Sequence, residues 1–218
     1  MLFEQIIEIR DPEPHDAALN MAIDEALLQR ATQPTLRVYG WKGRALSLGY
    51  FSRYVEAERA AAGRAMVRRW TGGGLVEHGE DITYTLVVPR DAAFFQHTPL
   101  ESYRMIHETI AEWLQGRGIS GQVAPSSAEE SSGACFATHV RHDIIAEEGK
   151  LAGAAQRRTR WGLLHQGSIL LPEKKTGEGL AEAFASEITR EDLSAEILQA
   201  ARQIAEQKYA TTDWLRKF

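Results

Sequence analysis

The sequence predicts an α+β fold, in which helices pack around a mixed β-sheet. Segments with strand and helix patterns mix along the 218 residues without the strict alternation of a doubly wound parallel sheet. The 44% hydrophobic and 25% charged residues are typical of a globular chain that can bury a core. The length suits one domain, which we expect to comprise residues 1–218.

The first half of the chain combines short strands with one long helix. Asp16 is a suitable N-cap for a helix that runs to about Arg30. Leu19, Ile23 and Leu27 fall on one face of that helix and predict an amphipathic element. The other elements predicted here are strands at 4–10, 36–41, 45–50, 65–70 and 82–89 and a short helix at 55–62.

The second half contains the most regular helical pattern, over residues 99–116. Apolar residues recur there at helical spacing, and Gly116 and Gly118 end the helix. A small and polar loop at 125–133 precedes a strand meander with a turn at Gly149. The meander strands are 142–148, 150–158 and 163–172, and a last helix covers about 191–207.

Composition restricts the compartment and the partners. The net charge of −5 argues against general nucleic-acid binding. No apolar stretch approaches the roughly 20 residues of a membrane-spanning helix, and the N-terminus lacks the pattern of a signal peptide. A single cysteine, Cys135, excludes an intramolecular disulfide. We therefore expect a cytoplasmic protein that binds neither nucleic acid nor membrane.

A glycine-rich loop is the first motif that could carry chemistry. It follows a predicted strand and reads Arg68-Arg69-Trp70-Thr71-Gly72-Gly73-Gly74-Leu75-Val76-Glu77-His78. Three consecutive glycines permit positive φ angles and a close approach of the backbone to a ligand. Exposed N–H groups of such a loop can cradle an anion or a carbonyl oxygen. The alternative is a simple glycine-rich turn.

Two further motifs lie on the predicted meander. Lys150 is surrounded by small residues that include Gly153 and Ala154, and such a lysine can accept a proton or hold an anion. The alternative is an exposed lysine on a hairpin. His165 and Gly167 lie in a polar stretch inside an apolar strand, which favours side chains that face a cleft. A hydrogen-bonded core histidine is the alternative there.

Cys135 follows the loop at 125–133 and is flanked by small residues. A cysteine in a loop is accessible, and nearby lysine or arginine side chains favour its nucleophilic thiolate. The alternative is an inert, buried thiol.

Together and in this order, these segments resemble the lipoate–protein ligase and octanoyltransferase superfamily, which shares its fold with biotin protein ligase. The resemblance covers nearly the whole chain. Its segments are AALNMAIDEALL (17–28), LRVYGW…LSLGYF (36–51), RRWTGGGLVEH (68–78), CF (135–136), GKLAGAAQRR…LHQGSILL (149–171) and KYATTDW (208–214).

Within the superfamily the sequence is most similar to cysteine-dependent octanoyltransferases of the LipM type. The resemblance implies that Cys135 and Lys150 are catalytic. It places the acyl group among substrate-binding residues Arg69, Thr71, Gly72, Gly73, Gly74, His78, Gly153, Ala154, His165 and Gly167. It implies transfer of an octanoyl (or lipoyl) group through a Cys135 thioester, without cofactor or metal. The donor would be octanoyl-acyl carrier protein, and the acceptor a lysine of glycine cleavage H protein or a 2-oxoacid dehydrogenase E2.

The alternative within the superfamily is the catalytic unit of a lipoate–protein ligase. That enzyme would use ATP and Mg²⁺ to form lipoyl-AMP, and it would need a separate accessory protein because we expect no C-terminal accessory domain here. The triple glycine is more ligase-like, but Gly79 stands where ligases often carry Asp after the histidine. His165 stands one place earlier than in the LQHG pattern of some transferases. An acyl-binding protein without catalytic activity is a further alternative.

Overall fold

A computed structural model describes residues 1–127, 139–171 and 176–218. The strands in these ranges are β1 (Phe3–Arg10), β2 (Thr35–Tyr39), β3 (Ala45–Leu48), β4 (Ala65–Arg68), β5 (Leu75–His78), β6 (Ile82–Pro89), β7 (Gln122–Val123), β8 (Ile144–Ala146), β9 (Gly149–Arg158), β10 (Gly162–Ile169) and β11 (Ala185–Asp192). The α-helices are α1 (Ala17–Arg30), α2 (Tyr54–Ala61), α3 (Pro99–Gln115), α4 (Leu180–Phe184), α5 (Ala195–Ile204) and α6 (Thr212–Leu215).

The strands form two sheets, and the predicted α+β class is confirmed. The larger sheet has the order β11-β1-β2-β6-β10-β9-β8-β7, and the smaller has the order β4-β3-β5. In the larger sheet β1 pairs in parallel with β2 and β11, whereas the other pairs are antiparallel. The predicted meander is therefore present as β8, β9 and β10.

The larger sheet separates two apolar cores. Tyr84 and Leu86 of β6 face α3 and α4 on one side. Val87 of β6 and Leu164 of β10 face α1 and α5 on the other side. Because side chains alternate along a strand, neighbouring residues of β6 and β10 contribute to different cores. The smaller sheet packs against α2, with Leu46 and Leu48 buried between them.

Helix α1 begins as predicted but is not amphipathic. The Asp16 side chain accepts a hydrogen bond from the Leu19 N–H and caps the helix. From Asn20 to Leu28 every residue is buried, whereas Leu19 is only partly buried. The polar residues of α1 are satisfied by bonds across the core, and the Asp24 carboxylate pairs with Arg37 at 2.7 Å. The spacing of the apolar residues therefore predicted helix α1, but it did not predict that the helix is buried on every side.

The C-terminal region differs most from the expected elements. Residues 185–192 form an edge strand parallel to β1, and the helix expected from residue 191 begins at Ala195. A π-helical turn at 205–209 then leads toward α6. Strand β11 is mostly exposed and polar, as edge strands often are, so it lacks the apolar alternation of a half-buried strand. Strand β5 was also not predicted, because its residues belong to the glycine motif.

Among the helices in the described ranges, none has the length and apolar character needed to cross a membrane.

Candidate active site

A cavity of about 120 Å³ lies between the smaller sheet, α1 and strands β9 and β10. Cavities of this size can take up a small apolar molecule. Its walls include Met21, Val76 and Val140 together with aromatic rings of the β2 end. The cavity brings together eight residues predicted from the sequence, namely Arg69, Gly73, Gly74, His78, Lys150, Gly153, Ala154 and Gly167.

Lys150 reaches the cavity from the beginning of β9. Its Nζ atom lies 2.8 Å from Oδ2 of Asp143, and its side chain is only 11% exposed. A methyl group at Gly153 would overlap Cε and Nζ of Lys150, and it would lie 3.2 Å from Oδ1 of Asp143. Gly153 therefore provides the space in which the lysine amine sits.

The Asp143 carboxylate is fully buried and is held from two sides. The Tyr103 hydroxyl of α3 donates to Oδ1 at 2.5 Å, and the Val140 N–H donates to Oδ2 at 2.7 Å. Burial and the neighbouring carboxylate raise the pKa of Tyr103 well above its usual range, so the phenol remains a donor. The Tyr103 oxygen also accepts the Ala154 N–H at 3.1 Å. This arrangement fixes the carboxylate that positions Lys150.

Arg69 shapes the glycine loop from within. Its Nη2 donates to the carbonyl oxygens of Gly72 and Gly74 at 3.0 and 2.9 Å, and its side chain lines the cavity. Gly73 between them has a φ of +82°, a conformation that favours glycine. The loop is therefore bent around the guanidinium group, and its backbone forms part of the cavity wall.

His78, Asp81 and Ser47 form a hydrogen-bonded chain beside Arg69. The His78 ring nitrogens lie 2.9 Å from Asp81 Oδ2 and 2.6 Å from Ser47 Oγ. Arg69 Nη1 donates to the same Ser47 oxygen at 2.6 Å. The imidazole also stacks on Trp41 with ring centres 4.0 Å apart. Asp81 thus provides the carboxylate that contacts His78.

The charge states of His78 and Asp81 follow from burial and hydrogen bonding. Burial lowers the pKa of His78 despite the neighbouring Asp81, which favours a neutral imidazole. Burial acts to raise the pKa of Asp81, but hydrogen bonds from His78, Ser168 and Thr83 lower it overall. The hydrogen-bonded group therefore combines the Asp81 carboxylate with a neutral His78.

Three predicted binding residues do not line the cavity. Thr71 is buried and donates to Gln166 at 2.8 Å, whereas Gly72 contributes a carbonyl to Arg69. The sequence predicted that the His165 side chain faces the cleft, but the structure places it elsewhere. It is fully buried on the opposite face of the sheet, where it contacts the Tyr84 hydroxyl at 2.9 Å.

Alternation along β10 explains this difference. Gln166 and Ser168 line the cavity, so His165 and the Cα position of Gly167 face the α3 side. Gly167 reaches the cavity through its backbone, and a methyl group there would overlap the Tyr84 ring. Burial also lowers the pKa of His165 well below its usual range, as expected for a neutral core histidine.

Cys135 lies outside the described residues, so its predicted role stays a prediction. Val140, five residues later in the sequence, lines the cavity. Among the described residues, no three His, Cys, Asp or Glu side chains cluster closely enough to hold a metal ion.

Sequence reasoning missed several polar residues of the site. Asp143 precedes an apolar pair at the start of β8, and this pattern marks a carboxylate at a strand end. Tyr103 gave no such signal, because it fits the apolar face of α3. Ser47 looked like an ordinary strand residue, and Asp81 like a turn residue. Their roles depend on contacts between distant segments.

Comparisons with known proteins agree with this architecture. The family model described as lipoyl protein ligase A/B catalytic domain matches residues 16–199. An octanoyltransferase LipM of Kyrpidia tusciae is 39% identical over 170 residues, which cover 71% of this chain and 62% of that protein. The Bacillus subtilis octanoyltransferase LipM is 32% identical over 218 residues, covering 92% of this chain and 78% of that protein. The chain thus spans about three fifths of some relatives, such as the Kyrpidia protein.

Solved structures show the same fold. A T. acidophilum protein assigned as a lipoate protein ligase, with bound lipoic acid, superposes with a TM-score of 0.78 at 20% identity and covers 99% of this chain and 100% of its own. A lipoate-protein ligase A bound with ATP gives a TM-score of 0.74 at 20% identity over 98% of this chain and 99% of its own. The family model covers most of the chain and agrees with these folds, so the chain belongs to the lipoyl protein ligase A/B catalytic domain family.

Proposed function

We propose that this chain transfers an octanoyl group from an acyl carrier protein to a lysine of a lipoyl-domain protein, through a thioester on Cys135. The observation that carries the proposal is the cavity lined by Lys150, whose amine contacts Asp143 and occupies the space that Gly153 leaves open. The relatives named octanoyltransferase LipM support this activity.

The first step forms the acyl-enzyme. The Cys135 thiolate attacks the carbonyl carbon of the octanoyl thioester, the new Sγ–C bond forms, and the carrier leaves as a thiolate that takes up a proton. The Lys150 ammonium stabilises the negative charge that develops on the carbonyl oxygen. A donor of this kind contributes roughly 2.7–4 kcal/mol to transition-state stabilisation.

The second step forms the product amide. The neutral amine of the acceptor lysine attacks the thioester carbon, a C–N bond forms, and the Sγ–C bond breaks. The amine loses a proton, and Cys135 is regenerated. A thioester is already activated toward an amine, so this sequence consumes no ATP. Burial of the acyl chain adds about 0.8 kcal/mol of binding free energy per CH₂ group.

Intact-protein mass spectrometry tests the first step directly. The chain is mixed with octanoyl-acyl carrier protein in the absence of ATP. We expect a hydroxylamine-labile octanoyl adduct that is absent from Cys135→Ser, whose fold is checked by circular dichroism. Addition of a lipoyl domain should then discharge the adduct and acylate the domain.

The ligase alternative gives a different result. Modification of the lipoyl domain would require lipoate and ATP, together with an accessory protein, and Cys135→Ser would retain activity. That combination would replace the transferase proposal. The triple glycine of the loop is the sequence feature that favours this alternative.

A further inference from the structure

Three cationic side chains converge on two aromatic rings next to the glycine loop. Arg157 Cζ lies 4.7 Å from the centre of the Trp70 ring and 5.0 Å from that of Tyr50. Lys208 Nζ lies 4.0 Å from the Trp70 ring, and Lys217 Nζ lies 4.9 Å from the Tyr50 ring. We call these five residues the aromatic–cation patch.

The patch carries positive charge that its own surroundings do not neutralise. Within the described ranges, Lys208 pairs with Glu25 at 2.6 Å, but no carboxylate lies within 4.0 Å of the Arg157 or Lys217 nitrogens. This occurs on a chain whose net charge is −5. A hydrogen bond with Lys217 lowers the pKa of Tyr50, and the neighbouring cations add to this effect. The patch therefore has a positive potential suited to an acidic partner.

The patch lies on the face of β9 from which Gly153 lines the cavity. Every second residue of β9 faces this side, so Gly153, Ala155 and Arg157 share the face. Ala155 approaches Gly73 of the glycine loop. The Lys150 amine sits over Gly153. Arg157 is four residues further along β9 than Gly153, or about 13 Å at roughly 3.3 Å per residue. The patch therefore lies beside the cavity, outside its lining.

Exposed aromatic side chains extend the patch. Phe51 is 72% exposed and Phe218 is 47% exposed. Their ring centres lie 4.8 and 5.5 Å from that of Tyr50. Aromatic side chains and arginine are enriched at protein–protein contact surfaces. A small inorganic anion would not cover these rings.

We propose that the aromatic–cation patch docks an acidic face of the protein that carries the acceptor lysine. The inference rests on the proposed function and identifies where the acceptor binds. The side chain of the acceptor lysine is short, so the domain that carries it must sit directly over the cavity when the acceptor amine reacts. A domain of 100 residues has a radius of gyration of about 13 Å, which is comparable with the length of β9 from Gly153, over which the Lys150 amine sits, to Arg157 of the patch.

Separate measurement of the two half-reactions tests this assignment. Lys217→Glu changes an exposed residue, and the double variant Arg157→Glu/Lys217→Glu reverses both charges that have no carboxylate within 4.0 Å in the described ranges. We expect normal acylation by octanoyl-acyl carrier protein, but a KM for the lipoyl domain roughly fivefold higher or more in the double variant at low salt. The difference should shrink at high ionic strength. Arg10→Glu on β1, which three strands (β2, β6 and β10) separate from β9, is the matched control and should leave both steps unchanged.

Each outcome bears on a different claim. Unchanged acceptor kinetics in both variants would overturn the docking proposal, as would a defect confined to acylation by the carrier protein. Failure of the wild-type chain to form any adduct would instead refute the proposed function. In that case binding of the unacylated lipoyl domain to wild-type and Lys217→Glu protein, measured by calorimetry, still tests the patch. Equal affinity would then contradict it.

Discussion

Replacement of Gly153 by alanine should displace the Lys150 amine while the sheet remains intact. The added methyl group would overlap Cε and Nζ of Lys150. Normal van der Waals separation is roughly 3.5–4.0 Å, so the end of the lysine side chain must move by at least about 1 Å. That movement also disturbs the 2.8 Å contact with Asp143. The overlapping atoms belong to a flexible side chain, so the fold need not change.

The expected result is a large loss of rate with little loss of stability. A misplacement of about 1 Å at a catalytic group can lower the rate about 100-fold, so we expect kcat for octanoyl transfer to fall by about that factor. The midpoint of urea unfolding should stay close to that of the wild type. Gly116→Ala is a suitable control, because its methyl group would make only ordinary 3.6 Å contacts at the end of α3. A Gly153→Ala enzyme with unchanged kcat would show that Lys150 does not act from this position.

Two further predictions concern the core on the α3 side. Burial lowers the pKa of His107 to about 4. Between pH 6.5 and 4, His107 is therefore protonated in the unfolded chain but largely neutral in the folded chain. The free energy of unfolding should therefore fall by about 3 kcal/mol between pH 6.5 and 4 through this residue. Urea titrations should show a smaller decrease in His107→Asn, and identical pH slopes would contradict the assignment. Gly167→Ala should cost roughly 1–3 kcal/mol of stability, because its methyl group would overlap the Tyr84 ring. An unchanged urea midpoint would exclude that overlap.

The sequence predicted the fold class and most central elements because their signals are local. The Asp16 cap, the helical period of α3 and the turn at Gly149 need no knowledge of distant segments. The edge strand β11 escaped prediction because its mostly exposed residues carry no burial pattern. The burial of the polar side of α1 was not predicted, because its Asp24 carboxylate pairs with Arg37, a residue of another element.

The same distinction applies to the candidate site. The glycine loop and Lys150 could be identified as motifs, and the structure brings both to one cavity. The orientation of His165 could not, because a polar stretch does not say which side chains of a strand face the ligand. Strand register decides that point, and it places Gln166 and Ser168 at the cavity instead.

The edge of the larger sheet links the fold to the proposed chemistry. Strand β8 pairs with β9 only through residues 144–146, so the Ala154 N–H has no strand partner on that side within the described chain. The Tyr103 oxygen accepts this N–H, while the Tyr103 hydroxyl proton is donated to Asp143. One side chain of α3 thus completes the open edge of β9 and fixes the carboxylate that positions Lys150. Because β9 is open at this point, α3 can reach the cavity through the edge of the sheet, which a full-length neighbouring strand would prevent.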